Sequence, residues 1–176
     1  MTKDGHTAII VMGVCGVGKT SIGKTLAERI GAGYIEADEF HPIENVRAMK
    51  RGEPLSDDMR KPWLEGIGAA VEIERKNRDV VVACSALKRS YRDLLRSIVG
   101  KTQIVFLTGE KQVISDRLNK RIDHFMSPTL LDSQIQDLEI PGIDENPITV
   151  DVQGTKHEVD NRVEQALLRN FSQMSE

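Results

Sequence analysis

Three short apolar runs, Ala8–Met12, Val80–Cys84 and Ile104–Leu107, are unbroken by polar alternation and rich in β-branched side chains. Such runs suit strands covered on both faces, as in a parallel sheet. Tyr34–Ala37 reads as a shorter strand, and Ile148, Val150 and Val152 alternate with Thr149 and Asp151, the period of a strand at an edge or half covered. Between the strands the apolar period lengthens to that of a helix. Ile22, Leu26 and Ile30 recur at four-residue spacing, and Gly31 and Gly33 stop the helix they predict. Trp63, Ile67, Ala70, Val71 and Glu74 mark a second helix beginning after Pro62. Ser90–Val99 predicts a third, Val113, Ile114 and Leu118 a fourth, and Lys156–Phe171 the last, with Val159, Val163, Ala166, Leu167 and Phe171 on one side.

Strands alternating with helices predict an α/β fold in three layers, a parallel five-stranded sheet flanked by helices through right-handed crossovers. Two segments break the rhythm. Asp38–Arg60 is polar, with one short helical stretch around Glu44–Lys50, and Ile122–Asn146 has no strand pattern and holds Pro128 and Pro141. Long excursions from a compact α/β core carry substrate or form lids.

A chain of 176 residues predicts one domain with a sizeable core. A formal net charge of -3, without a long run of like charge, argues against nucleic acid as a partner. The apolar stretch from Ala8 to Met12 is too short for a signal-peptide core or a membrane span, so the expected compartment is the cytoplasm. Two cysteines, Cys15 and Cys84, are then expected as thiols, and they are too few for a zinc site.

The strongest chemical signal is Gly13-Val14-Cys15-Gly16-Val17-Gly18-Lys19-Thr20, which fits G-x-x-x-x-G-K-[ST] between a buried strand and an amphipathic helix. Its glycines let backbone N–H groups curl around phosphate oxygens, and the helix that follows adds its partial positive charge. Lys19 is expected to reach the β- and γ-phosphates of ATP, and the Thr20 hydroxyl to ligate Mg²⁺. Asn119-Lys120-Arg121-Ile122 opens like the guanine-reading N-K-x-D but has Ile122 in place of the acid. The apolar runs ending at Ser85 and Thr108 lack the aspartate of motor and transport ATPases. A small-molecule kinase remains. Glu36 and Asp38, just past the second strand, should face the same crevice as the phosphate loop. Asp38 is the candidate to accept the acceptor hydroxyl's proton, and Glu36 or Asp38 to hold the metal through water.

Further blocks extend the pattern. They are Ala37-Asp38-Glu39-Phe40-His41-Pro42 with Asn45 and Met49, then Gly52-Glu53-Pro54-Leu55-Ser56-Asp57-Asp58-Met59-Arg60-Lys61-Pro62-Trp63, Ala83-Cys84-Ser85-Ala86-Leu87-Lys88-Arg89-Ser90-Tyr91-Arg92-Asp93, and His124-Phe125-Met126 with Pro141. With them the chain resembles the gluconokinase family over nearly its whole length, Cys15 standing where members often have Ser. The resemblance implies a nucleoside-monophosphate-kinase-like fold with a mobile lid, often a homodimer. It also implies the reaction ATP + D-gluconate → ADP + 6-phospho-D-gluconate, feeding the pentose phosphate or Entner–Doudoroff route. A kinase of another sugar acid or polyol, or an ATP-binding regulator without catalysis, remains an alternative.

Within that frame residues 1–176 form one kinase domain, with a substrate-binding insertion at about 38–62 and a lid at about 121–129. Arg117 and Arg121, one helical turn apart, lead into the lid and are expected to clamp ATP phosphates, Arg121 acting with Lys19 and Asp38 in catalysis. An anionic, hydroxyl-rich acceptor needs cationic and polar partners. Asp38, His41, Arg47, Arg51, Lys88 and Arg92 are the candidates. Asp57, Asp58, Arg60 and Trp63 read as residues that order their loop.

Overall fold

The computed structural model describes residues 5–120 and 128–173. Five parallel strands form one sheet in the order β2-β3-β1-β4-β5: β1 Ala8–Met12, β2 Gly33–Glu36, β3 Val80–Ala83, β4 Thr102–Thr108 and β5 Ile148–Asp151. Every residue of β1 and β3 is buried, as unbroken apolar runs require, and β5 alternates buried with exposed residues at the sheet edge. Helices α1 (Lys19–Ile30) and α7 (Lys156–Gln173) cover one face around Ile9, Val11, Val105 and Leu107. Helices α3 (Asp57–Glu74) and α4 (Arg89–Val99) cover the other, around Ile10, Val82, Ile104 and Phe106. The short α2 (Ile43–Lys50) lies in the polar insertion, and α5 is Lys111–Asn119.

Three boundaries differ from the sequence reading. Helix α3 begins at Asp57, not after Pro62, because the Ser56 hydroxyl caps it by accepting the Met59 N–H at 3.2 Å. Pro62 lies inside the helix, where it can supply no N–H to the Asp58 carbonyl, and the helix runs on past it to Glu74. The excursion after residue 122 contains a helix, α6 (Pro128–Asp137), followed by a 3-10 turn at Ile143–Glu145. Strand β4 runs to Thr102 and Thr108, beyond its apolar stretch, because its end residues pair with β1 and β5. Most of the expected lid, with Arg121, His124 and Phe125, lies outside the described residues. Among the described residues no helix is long and apolar enough to cross a membrane.

Candidate active site

The loop from Gly13 to Thr20 leaves the C-terminal end of β1 and turns into α1. It is nailed to the core by Val14, Cys15 and Val17, all buried against α5 and β4 residues. Two glycines allow no alternative. A Cβ on Gly13, at φ +148°, would sit 2.6 Å from the Leu107 carbonyl oxygen, and one on Gly16, at φ +86°, 2.6 Å from Leu118 Cγ. The Lys19 ammonium folds back over the loop and donates to the Val14 carbonyl at 3.0 Å. Burial lowers its pKa, against the pull of the Asp38 carboxylate and, more weakly, of Cys15, Cys84 and Glu36. Cys84, buried at the end of β3, has its thiol pushed up to about 12 by burial, which makes it inert as a nucleophile.

Beside the loop, the Glu36 carboxylate accepts two hydrogen bonds at one oxygen, from the Thr20 hydroxyl and from Tyr34 OH, each at 2.7 Å. Burial, then the Glu36 carboxylate, raises the Tyr34 pKa, so this phenol stays a donor. A hydroxyl against a carboxylate offers oxygen donors of the kind a hard divalent cation takes.

Asp38 is exposed on the 3-10 turn Ala37–Phe40 that extends β2, and its charge is felt by Lys19, His41 and Cys84. The turn is fixed from below: the Trp63 indole N–H donates to the Ala37 carbonyl at 2.7 Å, and the indole stacks on His41 with centroids 4.3 Å apart. Asn45 reaches His41 Nδ1 at 3.3 Å and donates to the Met59 carbonyl at 2.9 Å. A neutral His41 then carries its proton on Nε2. Burial lowers the His41 pKa; Asp38 pulls it up and Arg60 down.

Beyond His41 lies a cationic cluster. Arg60 donates to Tyr91 OH at 2.8 Å, Tyr91 OH to Asp57 at 2.5 Å, and Lys88 to the same Asp57 oxygen at 3.0 Å. Both Arg60 and Lys88 lie over the Tyr91 ring, at 5.5 and 5.6 Å. The Asp57 carboxyl is held below its usual range by Tyr91 and Lys88. Sequence reasoning gave Arg60 a loop-ordering role and passed over Tyr91. The signal available was their presence in the Gly52–Trp63 and Ala83–Asp93 blocks.

The structure thus brings Lys19, Thr20, Glu36, Asp38 and His41 together, with Arg60 and Lys88 farther along. It pairs Arg51, Arg92 and Arg117 with other partners. Arg92 is a correction: with 1% of its side chain exposed, it donates two parallel hydrogen bonds to the Glu145 carboxylate (2.7 and 2.9 Å) and one each to the Ala86 and Leu87 carbonyls at 3.0 Å. The guanidinium is committed to these internal partners. Arg51 is exposed and paired with Glu53 at 2.8 Å, and Arg47 is exposed on α2. Arg117 also departs from its expected role as a phosphate clamp. It donates to the Val152 and Gly154 carbonyls while Arg162 takes those of Asp151 and Gln153, so two arginines hold the loop after β5.

Helix α6 closes one side of the crevice. Gln134 Oε1 accepts the Cys15 N–H of the phosphate loop at 2.7 Å, and the Asp137 carboxylate stands 4.0 Å from Arg60.

A glycine-built anion loop leading into a helix, with lysine, hydroxyl and carboxylates at the C-terminal edge of a parallel sheet, defines a P-loop phosphotransferase. Comparison with known proteins narrows the class. The shikimate kinase family model matches residues 15–174. A probable gluconokinase of Dictyostelium discoideum is 46% identical over 147 residues, 79% of this chain and 73% of that one. The thermoresistant gluconokinase of Escherichia coli is 39% identical over 85% of this chain and 86% of its own. The crystal structure of a gluconokinase from Sinorhizobium meliloti superposes with a TM-score of 0.87 at 42% identity, covering 96% of this chain and 95% of that one. The chain belongs to the gluconokinase family of P-loop kinases, enzymes that use ATP with a divalent metal.

Proposed function

We propose that the protein transfers the γ-phosphoryl group of ATP to the 6-hydroxyl of D-gluconate, releasing ADP and 6-phospho-D-gluconate. The observation that carries this reading is the phosphate loop with Lys19 folded over it and within the field of the Asp38 carboxylate, in a chain akin to gluconokinases along most of its length. The hydroxyl oxygen attacks the γ-phosphorus, the bond to the bridging oxygen breaks, and ADP leaves with the electron pair. Asp38 takes the hydroxyl's proton and keeps the hydroxyl in line. Lys19 offsets charge that develops on the phosphoryl oxygens. Thr20, with Glu36 or Asp38 through water, would hold Mg²⁺, which when bound neutralises the β- and γ-phosphates. His41 Nε2–H faces acceptor hydroxyls, and Lys88 with Arg60 supplies the charge for the carboxylate, the role first given also to Arg47, Arg51 and Arg92.

The same reading takes residues 1–176 as one kinase domain in the cytoplasm, acting as a homodimer, with the insertion at 38–62 around the acceptor and Arg121 in the lid. Purified protein with Mg-ATP should convert gluconate to 6-phosphogluconate with matching ADP release. Robust turnover on a different acceptor, with none on gluconate, would overturn the assignment.

A further inference from the structure

Helix α6 touches the crevice at two places, and at both it presents an oxygen where a substrate anion is expected. Gln134 Oε1 holds the Cys15 N–H at 2.7 Å, an amide of the loop built to grip phosphate. Asp137, three residues on and so on the same side of the helix, faces the Arg60 guanidinium at 4.0 Å. The helix is seated on either side of these teeth. Leu131 is buried in the core, Leu138 packs against both core clusters, Lys111 pairs with Asp132 at 2.6 Å, and past the helix Glu139 N–H donates to the Leu87 carbonyl at 2.9 Å. The contacts are specific in kind. The carboxamide oxygen can only accept, so its partner is an N–H otherwise available to a phosphate oxygen, and a carboxylate beside Arg60 stands in for another carboxylate.

We infer that Gln134 and Asp137 are internal surrogates for the two substrates: the nucleotide's phosphate displaces Gln134 from the phosphate loop, and the acceptor's carboxylate displaces Asp137 from Arg60. Both side chains ride on one helix, so a substrate that clears one tooth by shifting the helix withdraws the other as well. Each substrate therefore strengthens binding of its companion, equally in both directions. The device restrains the empty enzyme and commits it once both sites fill.

This inference rests on the crevice being the Mg-ATP and gluconate site, and the test separates the two. Mg-ADP binding is measured by titration calorimetry on the full chain, with and without gluconate, each variant's fold being checked by circular dichroism. Gln134→Ala removes one neutral hydrogen bond that competes with phosphate, so Mg-ADP should bind about 2- to 10-fold tighter. Gln134→Glu, which leaves a competing anion at the loop, should bind it more weakly than wild type. Asp137→Asn should tighten gluconate binding, and the mutual tightening of the two ligands should shrink in the double variant Gln134→Ala/Asp137→Asn. Unchanged or weaker Mg-ADP binding by folded Gln134→Ala overturns the surrogate role and leaves the kinase reading standing. Failure of the wild type to bind Mg-ADP at all overturns both.

Discussion

Removing Glu145 should unfold the protein more readily than any change in the crevice. Its side chain is fully buried, and its two oxygens meet Arg92, itself 1% exposed, at 2.7 and 2.9 Å. Burial alone would raise the carboxyl's pKa, but Arg92 and the Gly142 N–H hold it below its usual range. In Glu145→Ala the guanidinium keeps only the Ala86 and Leu87 carbonyls and no counter-charge. Stranding one member of a buried pair costs about 3–5 kcal/mol, a large part of a total stability on the order of 5–15 kcal/mol. At roughly 2–4 °C per kcal/mol for a chain of this size, Tm falls by roughly 6–20 °C. Arg96 and Arg89, at 3.4 and 3.7 Å from Glu145, are about a third or more exposed and add little. Urea unfolding gives the magnitude, with an unchanged m-value certifying that only stability moved. The double replacement Arg92→Met/Glu145→Leu should recover most of the loss, since an apolar pair of similar volume removes both charges at once. A Glu145→Ala protein that loses less than about 1 kcal/mol at constant m would refute this account of the pair.

Other outcomes follow from the site. Lys19→Ala should lower kcat by about 100- to 1000-fold, the scale of losing a charge-stabilising donor, read in a coupled ADP assay. Asp38→Asn should cut kcat far more than it weakens Mg-ADP binding; near-normal kcat removes Asp38 from the proton-accepting role. The folded chain favours neutral His41, its pKa being lowered from 6.5 by burial, so the unfolded chain binds more protons there. That contribution is complete above about pH 6.5 and is lost as pH falls below it. His41→Gln should flatten this part of the stability profile in urea titrations, whereas parallel loss in both proteins would count against it.

Much of the fold was legible because its signals are local. Ile9–Met12 is apolar at every position and central in the sheet, and the phosphate loop's glycines sit where backbone, not side chain, must approach. What escaped depended on distant partners. Arg92 looked like a carboxylate ligand because the residue that neutralises it, Glu145, is 53 positions on in an irregular segment. Helix α6 showed no clear period because Leu130 and Ile135 are both partly exposed and its key polar contact, Gln134 to Cys15, spans 119 positions. Arg60 was hidden by the assumption that Pro62 opened its helix, which left it in a loop rather than on the first turns facing Tyr91.

The chain's one tryptophan is Trp63, and it is anchored to the carbonyl immediately before Asp38 while its ring lies flat on His41. Indole emission, excited at wavelengths tyrosine does not absorb, therefore originates beside Asp38 and His41, at the proposed acceptor site. Protonation of the stacked imidazole, or arrival of a sugar acid against it, would register as a change in intensity without any label, giving a native optical readout of occupancy.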